Sequence, residues 1–146
     1  MAVGLIGQKI EYNFKIKIMK VTENIVSFQV AKLAKEKGFS MGFTPTVYSP
    51  EGELVDLTLP QYRGFIPTQA PTQALLQKWL REEHKLYVTV DVCVYGDEGR
   101  YSAELSGYGK KSFMPVLLDG FTIYDTYEEA LEEGLREALG LLEHNK

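Results

Sequence analysis

The spacing of hydrophobic and polar positions predicts strands in the N-terminal and central parts of the chain. Residues 12–18 place aromatic and aliphatic side chains on one side and lysine or asparagine on the other, which is the two-residue period of a half-buried strand. Residues 86–95 alternate in the same way, with one leucine and four valines on a core face, and a turn at 96–99 leads into a similar run at 100–106. The last two runs predict an antiparallel hairpin.

Turn residues predict two further hairpins. Residues 43–57 hold two short extended runs around a turn at 49–52, where proline suits the second position of a type I turn and glycine its last. Pro45 and Pro50 place this hairpin at a sheet edge or in a projecting loop, because proline cannot donate a hydrogen bond inside a sheet. The other hairpin is predicted around the Asp-Gly dipeptide at 119–120.

Apolar residues at helical spacing predict three helices. The first ends at Gly38, a residue type that readily adopts the left-handed conformation after a helix. Its N-terminal cap is one of three residues, Thr22, Asn24 or Ser27. The third begins with a capping box formed by Thr126 and Glu129.

The second helix is predicted to begin at Pro71, because a proline at the first helical position loses no hydrogen bond. Its apolar stripe consists of Leu75, Leu76, Trp79 and Leu80. Its outer side consists of Gln73, Gln77, Lys78, Arg81 and Glu82. The order of elements predicts an α+β fold, with an antiparallel sheet of about four to six strands packed with three helices.

The length of 146 residues fits a single domain. We expect residues 19–146 to form it and residues 1–18 to be an N-terminal extension or a first strand, because Met19 is a second potential start. The chain has one cysteine, no segment typical of a signal peptide and no apolar stretch that could span a bilayer. These features predict a cytoplasmic protein without membrane contact.

The charges are unevenly distributed. Residues 1–38 carry seven lysines and three glutamates, a local charge of +4, whereas residues 125–143 carry seven acids and one arginine, a local charge of −6. Because the acidic residues would repel a phosphate backbone, we expect no binding of duplex nucleic acid. Alternatively, both charged segments are simply solvent-exposed faces, which need no binding partner.

Few residues are suited to catalysis or metal binding. The chain holds two histidines, one cysteine and no nucleophile elbow, and structural zinc needs four cysteine or histidine ligands. We therefore predict no catalytic residues, no metal and no cofactor. Cys93, in a valine-rich strand, is expected to be a packing residue.

Two loops combine aromatic and basic residues. The irregular segment at 58–70 is the best candidate for a functional loop. In the segment at 107–112, GYGKKS, Tyr108 could stack on a base while the two lysines contact its phosphate, although this is no P-loop because Glu104 stands where a glycine is required. A plain strand connection is the alternative. The predicted ligand-binding residues are Tyr62, Arg63, Tyr108, Lys110 and Lys111.

Three stretches, at 23–39, 70–86 and 127–142, resemble short uncharacterised proteins of Bacteroides phages and prophages, and the strings LLQKWLRE and YEEALEEGL are the specific part. The order of elements after Trp79 is also similar in outline to small alpha-beta-alpha sandwich domains of phages. The resemblance implies an accessory viral protein in the host bacterial cytoplasm, of a kind that often serves defence evasion. It carries over no catalytic residues.

Three hypotheses follow. The first is a non-catalytic binding protein that sequesters a small anionic or nucleotide ligand or engages a host protein. The second is a structural, virion-associated or self-assembling homo-oligomer, for which Gly134 and Gly140 would allow close helix contact. The third is a nucleotide hydrolase that uses Asp91 or Glu104 as a general base.

Overall fold

The computed structural model describes residues 23–64, 66–95, 98–107 and 122–142. Within these ranges the fold is α+β, with three α-helices and five strands in two antiparallel sheets. The predicted class, helix number and approximate strand number are confirmed. The strands divide between two sheets, where the sequence predicted one. The predicted strand at 12–18 lies outside the described residues, as does the predicted turn at 119–120.

Each helix begins at a residue whose side chain caps it. In α1 (Phe28–Glu36) the Ser27 hydroxyl accepts from Val30 N–H, which identifies Ser27 as the cap among the three candidates. In α3 (Tyr127–Leu141) the predicted capping box is present. In α2 (Gln73–His84) the cap is Thr72. The prediction that Pro71 opens α2 was wrong, because Pro71 precedes the cap and its carbonyl accepts from Val26 N–H at 3.0 Å.

The smaller sheet contains β1 (Thr46–Tyr48), β2 (Leu54–Asp56) and β3 (Thr68–Gln69), in the order β2-β1-β3. The predicted turn joins β1 to β2, with Gly52 N–H donating to the Ser49 carbonyl at 3.0 Å. The prediction that this hairpin lies at an edge holds for β2 only, because β3 pairs with the other side of β1. Pro45 and Pro50 lie outside the strands.

The larger hairpin pairs β4 (Leu86–Tyr95) with β5 (Glu98–Gly107) along their whole length, and Tyr124 forms a bridge to Tyr101 on the outer side of β5. Helix α3 packs against the face that carries Val88 and Ala103. The opposite face has Thr89 and Asp91 exposed.

The core is formed where the three helices meet the end of the hairpin that is remote from its turn, at Leu86 and Val88 of β4 and Leu105 of β5. Leu86 and Val88 are buried, Val90 is half-buried and Val92 is 60% exposed. The prediction of one continuous core face along β4 was therefore wrong at Val92, because α3 lies over Val88 and does not cover Val92.

A polar contact joins the N-termini of α1 and α2 to α3. The Glu132 carboxylate accepts from Ser27 N–H at 2.8 Å and from Gln73 Nε2 at 3.0 Å, and Gln73 Nε2 also donates to the Glu128 carbonyl at 2.9 Å. Gln73, predicted to face solvent, is thus 7% exposed and buried between helices. Its placement there is possible because partners satisfy its amide group.

Candidate functional site

The structure describes two of the five predicted ligand-binding residues. Tyr62 ends a short 3-10 helix, Pro60–Tyr62, and is half-buried, while Arg63 follows it and is exposed. Tyr108, Lys110 and Lys111 lie outside the described residues. That the five residues form a ligand-binding site therefore stays a prediction.

The residues considered for hydrolysis lie on the outer face of the hairpin. Asp91 stands opposite Ser102, and Glu104 stands opposite Thr89. Cys93 also lies on this face, away from the core valines, with its Sγ 3.4 Å from the Ser102 hydroxyl. Among the residues that the structure describes, no three histidine, cysteine or carboxylate side chains form a group that could hold a metal.

A concave surface runs along the outer side of α2. It encloses about 450 Å³, within the range of small-molecule pockets. We call it the α2 groove and define it by its lining: residues 39–43, Leu75, Lys78, Trp79, Glu82 and Glu83. Its floor is apolar and aromatic, and its charged groups lie on α2.

One wall of the groove is the loop that follows α1. Gly38, with φ 92°, ends the helix in the left-handed conformation and directs the chain into Phe39. The Phe39 ring meets Trp79 edge to face, with 5.4 Å between ring centroids. The turn at Gly38 and this ring contact place the loop against α2.

Gln69 in β3 holds the same loop with its side chain. Met41 N–H donates to Gln69 Oε1 at 2.9 Å, and Gln69 Nε2 donates to the Met41 carbonyl at 2.6 Å. A side-chain amide that satisfies both backbone groups of one residue fixes that residue against the sheet. The groove is therefore formed before any ligand binds, which lowers the ordering cost of binding.

A second cavity of about 540 Å³ extends the groove toward the N-terminus of α2. The two cavities share Met41, Leu75 and Lys78, and the second ends at Glu23 and Thr72. From Thr72 to Glu83 a helix rises about 17 Å, at 1.5 Å per residue. The extended groove is thus long enough for a chain segment.

The charges along the groove are mainly acidic. Lys78 forms an exposed ion pair with Glu82 at 3.9 Å, whereas Glu83 and Glu23 have no ion-pair partner among the described residues. At the C-terminal end of α2, His84 contacts Trp79 with 4.4 Å between ring centroids. Burial lowers the pKa of His84, and the nearby Glu83 carboxylate partly opposes this shift.

The sequence did not indicate this groove. It assigned Leu75 and Trp79 to the apolar stripe of α2. Trp79 does pack against the core and is half-buried, whereas Leu75 is 36% exposed. Met41 and Phe43 received no role, and Phe43 is 85% exposed. The width of the apolar stripe could have indicated the groove. Residues 75 and 79 form one ridge of α2 and residues 76 and 80 form the next, and one ridge suffices for contact with the core.

Comparison of the chain with protein-family models, curated proteins and solved structures found no match. The resemblance to phage proteins stays a prediction. Within the described part of the chain, the helices are too short or too polar to cross a lipid bilayer.

Proposed function

We propose that this chain is a non-catalytic binding protein that holds its partner in the α2 groove. The observation that carries the proposal is the exposure of Phe43 and Leu75 on a preformed floor that includes Phe39 and Trp79. Exposed apolar and aromatic side chains in a shaped concavity are typical of binding sites, where they supply most of the affinity.

The side chains that line the groove favour binding over catalysis. The titratable side chains of the groove are Lys78, Glu82 and Glu83, and the first two pair with each other. Apolar contact is therefore the main interaction that the groove offers, and it favours association without assisting a bond-breaking step.

The charges favour a protein partner over a nucleotide. Two carboxylates and one lysine line the groove, so the local charge opposes a phosphate group. Of the two occupants that the sequence predicted, a protein fits this surface better than a small anion. Given the resemblance to phage proteins, a host protein is the first partner to test, with defence evasion as its purpose.

Binding of a neutral apolar dye such as Nile red tests the groove. We expect dye emission to rise with the wild type and to fall strongly with a Phe43→Ser, Leu75→Ser double variant. Leu54→Ser is the matched control, because Leu54 is 49% exposed on β2 and lies outside the groove. Equal dye binding by the wild type and the double variant would contradict the proposal.

A further inference from the structure

We infer that the α2 groove takes a short amphipathic protein segment whose apolar side chains are flanked by lysine or arginine. This inference rests on the proposed function, since it names the class of partner for the same groove. It depends on three observations, namely the length of the groove, the position of its charges and the contrast with the acidic face of α3.

The length calls for a chain segment. The extended groove follows α2 for about 17 Å, which is three helical turns or about five residues of extended chain. Its apolar lining is distributed along that length, because Ile25 lies beside Thr72, Leu75 follows about one turn later on α2, and Trp79 lies a further turn along. A segment with several apolar side chains in a row would contact all three.

The charges call for basic flanks. Glu23 lies at one end of the extended groove, and Glu82 and Glu83 lie at the other. Lys85, just beyond α2, donates to the Glu82 carbonyl at 2.7 Å and does not line the groove. Cationic residues on both sides of an apolar centre match this pattern.

The N-terminal part of α3 is acidic too, and a cavity of about 500 Å³ lies beside it. The apolar side chains of its lining, Ile25 and Tyr124, are half-buried, whereas the groove presents an apolar side chain that is 85% exposed. Glu132 is also engaged by Ser27 and Gln73. The exposed apolar side chains of the α2 groove therefore favour it over α3 for an amphipathic partner.

The test uses the single tryptophan of the chain, because Trp79 lies in the groove and its emission reports occupancy there. The probes are two amphipathic helical peptides of about 14 residues, or four turns, one of leucine and lysine and one of leucine and glutamate, together with ATP. None of the probes contains tryptophan. We expect the leucine–lysine peptide to shift the Trp79 emission to the blue.

Charge reversal supplies the specificity control. In an E82K/E83K double variant we expect the leucine–lysine peptide to bind at least about tenfold more weakly, because both charges at one end of the groove change sign. E51K/E53K is the matched control, with the same change in net charge on an exposed turn, and its affinity should stay within about twofold of the wild type.

The outcomes separate this inference from the proposed function. One outcome contradicts the partner class alone: the dye binds the groove, but the leucine–glutamate peptide or ATP shifts the Trp79 emission by as much as the leucine–lysine peptide does. The proposed function would then remain supported. An equal loss of affinity in both double variants also overturns the partner class. If neither the dye nor any probe reaches the groove, both proposals fall.

Discussion

Helix α2 carries large apolar side chains on two adjacent sides, and the surroundings of the two sides differ. On the inner side Leu76 and Leu80 are completely buried, where α2 packs against α3 and β4. On the outer side Leu75 and Trp79 line the α2 groove, next to a loop that leaves them accessible. Substitutions on the inner side should therefore lower stability, and substitutions on the outer side should lower binding at little cost in stability.

The largest effect is expected from Leu80→Ala, which creates a cavity in the core. We expect its free energy of unfolding to fall by about 2–5 kcal/mol, against less than about 1 kcal/mol for Leu75→Ala. Urea denaturation followed by circular dichroism measures both. Similar losses for the two variants would show that α2 does not separate stability from binding.

A smaller loss is expected where α3 approaches the hairpin. A Cβ atom at Gly134 would lie 2.7 Å from Val88 Cγ1 and 2.9 Å from Ala103 Cβ, so Gly134→Ala requires α3 or the side chains of the hairpin to shift. We expect a cost of about 1–3 kcal/mol.

The control for that variant is Gly140→Ala on the same helix. A Cβ atom there meets nothing within 4 Å, and alanine is the better helix former, so we expect a gain of up to about 1 kcal/mol. Opposite signs for the two variants in urea denaturation would confirm the close approach at Gly134. A loss at both positions would contradict it.

The polar contact that joins α1 and α2 to α3 should contribute less to the free energy of unfolding than the apolar core does. Gln73→Ala removes the donor shared by the Glu128 carbonyl and the Glu132 carboxylate, and we expect a cost of about 1–2 kcal/mol. Gln61→Ala, at an exposed position, is the control and should be neutral. Gln73→Ala without effect on the urea midpoint would mean that water replaces the amide.

The smallest effect concerns pH. Burial lowers the pKa of His84 in the folded chain, so the unfolded chain, with a histidine pKa of about 6.5, binds more protons below that pH. The contribution of His84 to stability is therefore complete above about pH 6.5 and decreases as the pH falls toward the folded pKa. In His84→Gln the urea midpoint should change less between pH 7.5 and pH 5.5 than in the wild type, by a small amount because solvent screens this half-buried group. An identical pH profile for the two proteins would rule out this role.

Features set by neighbours in the sequence were predictable. The capping box of α3 depends on residues three positions apart, and the β4–β5 hairpin depends on alternation within one stretch. Periodicity states which side chains share a face, but it does not state what covers that face. For this reason the burial of Gln73, the exposure of Val92 and the division of α2 between core and groove could not be predicted.

The groove depends on contacts between residues far apart in the sequence. Gln69 reaches Met41 across 28 positions, and Phe39 reaches Trp79 from the end of another helix. No local pattern encodes these contacts. The predicted site at Tyr62 and Arg63 was instead chosen from local composition, and the cavities that form the groove are lined by other residues.

Amide chemical-shift mapping with the leucine–lysine peptide tests most directly the claim that this chain acts by holding a partner beside α2. We expect the largest shifts at residues 39–43 and at Leu75, Lys78 and Trp79. Shifts centred on Tyr62 and Arg63, on the β4–β5 hairpin or on the acidic face of α3, or no saturable shifts, would contradict the account.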